Sequence, residues 1–271
     1  MWQSCSSFAL KLLIVLLLSS NTAQSADPVT PTKIQSRSYF FKAAKKTMPY
    51  SLYVPSSYDS KTKSPLIVAL HGLGSNAAVM IRYPGFIYHA EKHGYLIVAP
   101  TGYNARGWYG SRGSGGGRSS DPDNLGELSE KDVMNVLALI RKEFNIDQRR
   151  IYLMGHSMGG GGTWHLGIKY PDIWAALGPI APASPRNHSG LAKITHIPVI
   201  VVQGDQDSLV YGARRWVAKM KELKMEYEYL EIKGGGHVDV AYKHFPEIFK
   251  FFDTHTKKKP NVPAADEKQT K

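Results

Sequence analysis

A chain of 271 residues can bury the core of one sizeable domain, and 42% hydrophobic with 21% charged residues is the ordinary balance of a globular protein. The formal net charge is +12, yet no interleaving of basic and aromatic residues marks nucleic acid as the main partner. The single cysteine, Cys5, excludes an internal disulfide framework.

The first element in chain order is a leader. Lys11 precedes an apolar run over 12–18, and small residues follow at Ala23 and Ser25. The run is too short to span a bilayer and has the layout of a secretory signal peptide, predicting cleavage after residue 25 and a periplasmic or extracellular mature chain. An uncleaved anchor is the alternative. Cleavage would also remove Cys5, leaving a mature chain without thiol chemistry. Residues 26–35, polar with two prolines, read as a flexible approach to the domain.

From there apolar runs alternate with amphipathic stretches, which predicts a mostly parallel central sheet flanked by helices, a single α/β domain over 36–255. Strands are expected at 51–54, 65–70, 96–99, 151–154, 199–203 and 227–232. Leu66, Ile67, Val68, Ala69 and Leu70 form the continuous apolar run of a strand buried on both faces. Helices are expected over 86–93, 158–169, 211–224 and 242–254. The clearest helix begins after Ser129. Ser129 with Asp132 resembles an N-terminal capping box, and Val133, Val136, Leu137, Ile140 and Phe144 recur at helical spacing. Between strands, 104–120 is glycine-rich and basic, with Trp108 and Tyr109 inside, and reads as a flexible surface loop. It is not a P-loop, because no Gly-Lys-Ser/Thr follows. The basic end, 256–271, reads as a flexible tail.

The chemistry centres on Gly155-His156-Ser157-Met158-Gly159. A G-x-S-x-G element between a strand and a helix lifts a serine hydroxyl clear of the sheet on a sharp turn. Serine is a weak nucleophile and needs a base held by an acid, in the chain order Ser, Asp or Glu, His. His237 follows three glycines after the last expected strand and is the candidate base. The acid is Asp207 or Asp205, two residues apart after 199–203. The third residue after Gly204 is the usual acid in related hydrolases, which favours Asp207 and leaves Asp205 as a turn residue. The oxyanion hole would take one backbone N–H from Met158 and another from His71-Gly72-Leu73-Gly74, at Leu73, with His71 supporting that loop.

HGLG, APTGYNARGWYG, the long segment EKDVMNVLALIRKEFNIDQRRIYLMGHSMGGGGTWHLGIKYPD, GDQD and GGGH together resemble the polyhydroxybutyrate depolymerase and feruloyl esterase-like branch of the α/β-hydrolases. Dienelactone-hydrolase-like and prolyl-oligopeptidase-like hydrolases share much of the pattern. The resemblance runs from about Tyr50 to the His237 region and implies the α/β-hydrolase fold, with Ser157, Asp207 and His237 at the triad positions. It further implies that the acyl or aryl group sits near the loop after Ala99. Two departures stand against polymer degradation: the mature chain lacks cysteine, and no separate binding domain is present.

The expected activity is carboxylic-ester hydrolysis through an acyl-enzyme, on aryl, feruloyl-type or hydroxyacyl esters. Trp108 and Tyr109 are candidates for an aromatic wall around the substrate, while Trp164 reads as core. A serine peptidase of the prolyl-oligopeptidase type would use the same triad, and a catalytically idle binding protein is the alternative from another class. No metal-ligand spacing, dinucleotide fingerprint or haem motif stands out, so no cofactor is implied. The expected partner is a small-molecule or oligomeric ester, with no nucleic acid and no integral membrane span after the leader is removed; oligomeric state is left open.

Overall fold

Among the described residues eight strands form one sheet: β1 (Gln35–Phe41), β2 (Lys46–Tyr53), β3 (Ser64–Leu70), β4 (Leu96–Pro100), β5 (Ile146–His156), β6 (Ala176–Ile180), β7 (Val199–Gly204) and β8 (Tyr227–Ile232). Their order is β1-β2-β4-β3-β5-β6-β7-β8. The β1–β2 and β2–β4 pairs are antiparallel, and all others are parallel. This computed structural model describes Met1, residues 33–115 and residues 118–257. The leader, most of the approach segment and most of the basic tail therefore lie outside the described residues.

The helices are α1 (Ala77–Met80), α2 (Phe86–His93), α3 (Leu125–Glu143), α4 (Met158–Lys169), α5 (Val210–Glu222), α6 (Val240–Lys243) and α7 (Phe245–Thr254). They cover both faces of the sheet, which explains the unbroken apolar run of β3. Leu66, Val68 and Leu70 join a core with Val133, Val136 and Ile140 of α3. Ile67 and Ala69 point the other way, into a core with Phe86, Phe245 and Phe249 of α2 and α7. Among the described residues no helix is long and apolar enough to cross a membrane.

Four expectations are corrected. The strands β1 and β6 were not anticipated. β1 is half-exposed along most of its length at the sheet edge, so its composition carries little apolar signal. β6 is fully buried but reads Ala-Leu-Gly-Pro-Ile, and glycine and proline mask a strand that pairs with β7 only at Leu177 and Ile180. The helix expected over 242–254 is two, divided at His244. Pro246 suits a first helical turn, not an interior, so a new helix starts there.

The third correction concerns Ser129 and Asp132, which do not cap a helix. α3 begins at Leu125, a full turn earlier, with Asn124 at its cap position. Ser129 is buried, and its hydroxyl accepts a hydrogen bond from Tyr109 N–H. Asp132 is equally buried and accepts from Tyr39 OH and Gly102 N–H, both at 2.7 Å. The two side chains tie the loop after β4 to α3.

That attachment is the fourth correction. The early part of 104–120 is not a free surface loop. Tyr109 is wholly buried, and its hydroxyl donates to the His71 carbonyl at 3.2 Å. A Cβ on Gly102 or Gly162 would lie 2.4 or 2.6 Å from the Tyr109 ring. Those glycines make the slot that this ring fills.

Candidate active site

The turn that carries Ser157 is built by close backbone approach. β5 ends at His156 and α4 begins at Met158, leaving Ser157 between them with φ 58° and ψ −113°. A serine in this region is strained, and neighbouring bonds hold it there. Ser157 N–H donates to Ile180 O at 2.9 Å, and Ser157 O accepts from Gly161 N–H and Ala183 N–H at 3.1 and 2.9 Å. The flanking glycines are required by space. A Cβ on Gly155 would stand 2.4 Å from the Gly159 carbonyl, and one on Gly159 would stand 2.2 Å from Leu70 O.

His237 Nε2 lies 2.9 Å from Ser157 Oγ, and His237 Nδ1 lies 2.7 Å from Asp207 Oδ2. The carboxylate accepts the Nδ1 proton, so the Nε2 lone pair faces the serine hydroxyl. Asp207 sits in the turn after β7, and His237 follows β8. Burial alone would raise the Asp207 carboxyl, but hydrogen bonds from His237, Leu209 N–H and Gln203 outweigh it and hold the group below the usual carboxylate value. Asp205 does not reach the histidine. Its Oδ1 accepts from Gly234 N–H at 2.8 Å, clipping the turn that leads to His237. Gly204 gives room for that turn, since a Cβ there would be 2.2 Å from Gly235 O.

The His71–Gly74 loop follows β3 and meets the same point. A Cβ built on Gly72 would lie 3.5 Å from Ser157 Cβ. Gly74 N–H donates to Ala105 O and Ser75 N–H to Gly72 O, which fixes the loop while leaving Leu73 N–H out of these turn bonds. Met158 opens α4, where N–H groups of the first turn have no intrahelical acceptor. The ring nitrogens of buried His71 lie 2.8 Å from the Gly72 and Thr101 carbonyls, so the protonated one anchors the loop.

Two contributors were missed in the sequence. His156, the variable position before the serine, is buried beside His237, the two rings 4.9 Å apart. Its Nε2 donates to the His237 carbonyl at 2.9 Å, and its Nδ1 accepts from Tyr83 OH at 3.0 Å. Burial, opposed in part by the bond to that carbonyl, lowers its pKa to about 4. The ring is therefore neutral and holds the base's backbone. The second is Gln203, fully buried at the end of β7, whose Nε2 donates to Asp207 Oδ2 at 3.0 Å. A glutamine closing the run Val-Ile-Val-Val was the available signal.

Of the expected aromatic wall, Trp108 is half-buried and lines a cavity of about 630 Å³ together with Ala183 and Ser208, with the Arg112 guanidinium 3.3 Å from its ring centre. Tyr109 does not line it; the ring points into the core for the reason given above. Trp164 is core, stacked on Trp216 with ring centres 4.4 Å apart.

The Esterase family model matches residues 42–250. A bifunctional acetylxylan esterase/xylanase of Neocallimastix patriciarum is 29% identical over 160 residues, 59% of this chain and 21% of that protein. A feruloyl esterase B of Neurospora crassa is 27% identical over 146 residues, 53% of this chain and 47% of that protein. The matches thus span less than half the length of these two relatives. A ferulic acid esterase of Anaeromyces mucronatus, solved with ferulic acid, has a TM-score of 0.64 at 18% identity, over 90% of this chain and 98% of that one. The shared fold is the α/β-hydrolase fold, as the motif resemblance implied.

Proposed function

The chain belongs to the esterase family, and on that premise we propose that it is a serine carboxylesterase with Ser157 as nucleophile, His237 as general base and acid, and Asp207 as the acid that orients it. The observation that carries this reading is the continuous chain Asp207–His237–Ser157 at 2.7 and 2.9 Å. His237 Nε2 takes the hydroxyl proton as Ser157 Oγ attacks the ester carbonyl, and the leaving alcohol receives that proton as the tetrahedral intermediate collapses. Water then enters, gives its proton to His237 and attacks the acyl-enzyme, releasing the acid and restoring Ser157. Leu73 and Met158 N–H groups hold the oxyanion in both halves. Asp207 stabilises the imidazolium that forms at each attack.

Aryl, feruloyl-type or hydroxyacyl esters are the proposed substrate class, supported by the half-buried Trp108, which lines a cavity with Ala183 and with Ser208, the residue after Asp207, and by the names of the relatives. Export to the periplasm or medium is supported by the leader pattern around Lys11. The test is hydrolysis of p-nitrophenyl acetate to octanoate, methyl ferulate and a hydroxybutyrate oligomer, with a prolyl peptide amide beside them, by the wild-type chain and by Ser157→Ala. Ester turnover that disappears in the variant is expected. Cleavage of the amide alone would transfer the chain to the peptidases, and unchanged turnover in Ser157→Ala would remove the serine from the mechanism.

A further inference from the structure

The cavity that Trp108 lines carries an unbalanced charge. Arg112 comes from the loop after β4, Arg186 from the segment after β6, and Arg215 from α5. Among the described residues no aspartate or glutamate lines the cavity with them. Among the described residues, Arg37, Arg106, Arg150 and Arg214 are each ion-paired to a carboxylate. Arg112, Arg186 and Arg215 have no such pair among the described residues; the same holds for Arg82, Arg118, Arg141 and Arg149, but only the first three line one cavity. The contrast within α5 is local: Arg214 pairs with Glu231 at 2.5 Å, while its neighbour Arg215 lines the cavity without a counter-ion among the described residues.

The position of the cavity ties it to the chemistry. One wall includes Ala183, whose N–H donates to Ser157 O at 2.9 Å. Another begins at Ser208, the residue after Asp207. Leu209 and Gly212 bring in the first turn of α5, whose leading N–H groups add positive potential of the same sign. Three exposed arginines line one space, so an oxyanion entering it meets positive charge from all three. The planar guanidinium fork matches the two oxygens of a carboxylate, and such charge-assisted bonds are the strong ones.

We propose that this cavity is a recognition subsite for a carboxylate carried by the ester substrate, so that Arg112, Arg186 and Arg215 select esters bearing a second, ionised acid group close to the scissile carbonyl. The inference rests on the reading of Ser157 as nucleophile, and it names the substrate class of that site.

Two matched ester pairs test it. Monomethyl glutarate against methyl pentanoate puts the carboxylate in the acyl part; O-butyryl glycolate against 2-methoxyethyl butyrate puts it in the alcohol part. In at least one pair the acidic member should have the higher kcat/KM, by about tenfold or more at low salt, with the ratio falling as salt is added. The R112Q/R186Q/R215Q variant should bring that ratio close to one. A ratio near one in both pairs for the wild type, or a preference that the variant retains, overturns the subsite while leaving neutral-ester hydrolysis as evidence for Ser157. Binding to the Ser157→Ala protein judges the subsite apart from turnover. In the pair that shows the preference, the acidic ester should bind more tightly than its neutral partner and lose that advantage when the three arginines are also replaced. Equal binding of the acidic and neutral members in both pairs overturns the proposal.

Discussion

Replacing His156 with phenylalanine separates the role of a neutral buried imidazole from that of its bulk. The folded chain lowers His156 from 6.5 to about 4, so an unfolded chain takes up a proton that the folded one refuses. The stabilisation is full above about pH 6.5 and is lost as pH falls toward 4. Linkage makes the loss about 2 kcal/mol by about pH 5 and about 3 kcal/mol by about pH 4 for this one group. Phenylalanine cannot titrate, but it leaves the His237 carbonyl and Tyr83 hydroxyl without their partner, a cost of about 1–3 kcal/mol at neutral pH. The variant is thus the less stable protein at pH 8, and the gap should close by about 2 kcal/mol on acidification to about pH 5. Urea unfolding at several pH values, followed by tryptophan fluorescence, reads that gap directly. Buried His71 and the other shifted groups move both curves together and cancel in the difference. A gap that stays constant from pH 8 to pH 5 would refute the reasoning, because it would mean that the imidazole is not held neutral. His156→Gln, whose amide can still donate to the His237 carbonyl, should regain activity relative to His156→Phe without regaining the pH dependence.

The two aspartates after β7 should separate cleanly. Asp207→Asn is expected to lower kcat by about 10³–10⁴-fold through the wrong His237 tautomer, while Asp205→Asn, at a carboxylate that accepts from Gly234 N–H and Gln206 Nε2, should stay within a few-fold; equal losses would contradict the assignment. Gly155→Ala places a methyl group 2.4 Å from the Gly159 carbonyl and should cost more than about 3 kcal/mol, read as a fall in the thermal midpoint or as failure to fold. A midpoint near that of the wild type would mean that the turn is not as tight as these contacts imply.

The parts of the site that were legible in the sequence are those fixed by backbone crowding. A serine between glycines, after an apolar strand, has few other meanings, and Gly155 and Gly159 stand where any side chain would collide. His237 was legible through its glycine turn. Choosing Asp207 over Asp205 needed likeness to related hydrolases, since both residues occupy one polar turn and only three-dimensional placement separates their side chains. Ser129 and Asp132 misled because a local capping pattern and a tertiary bond to a distant loop call for the same residue types. Tyr109 misled because glycines around an aromatic ring look like slack in one dimension, whereas in space they are the walls of its slot. His156 sat in plain view at the variable position of the motif, where periodicity and spacing assign no role.

His237, the proposed base, follows an edge strand. β8 pairs with β7 alone, and no side chain along it is fully buried. Ser157, by contrast, follows β5, which is paired on both sides in the middle of the sheet. Amide exchange and sub-global opening are governed by local free energies, which are smallest at such an edge. Detachment of β8 would carry His237 away from a Ser157 turn that remains folded, so with the proposed triad, resistance to inactivation would be set at the rim of the sheet and not by its core. Stiffening that rim, not enlarging the interior, is the route to a longer-lived active enzyme.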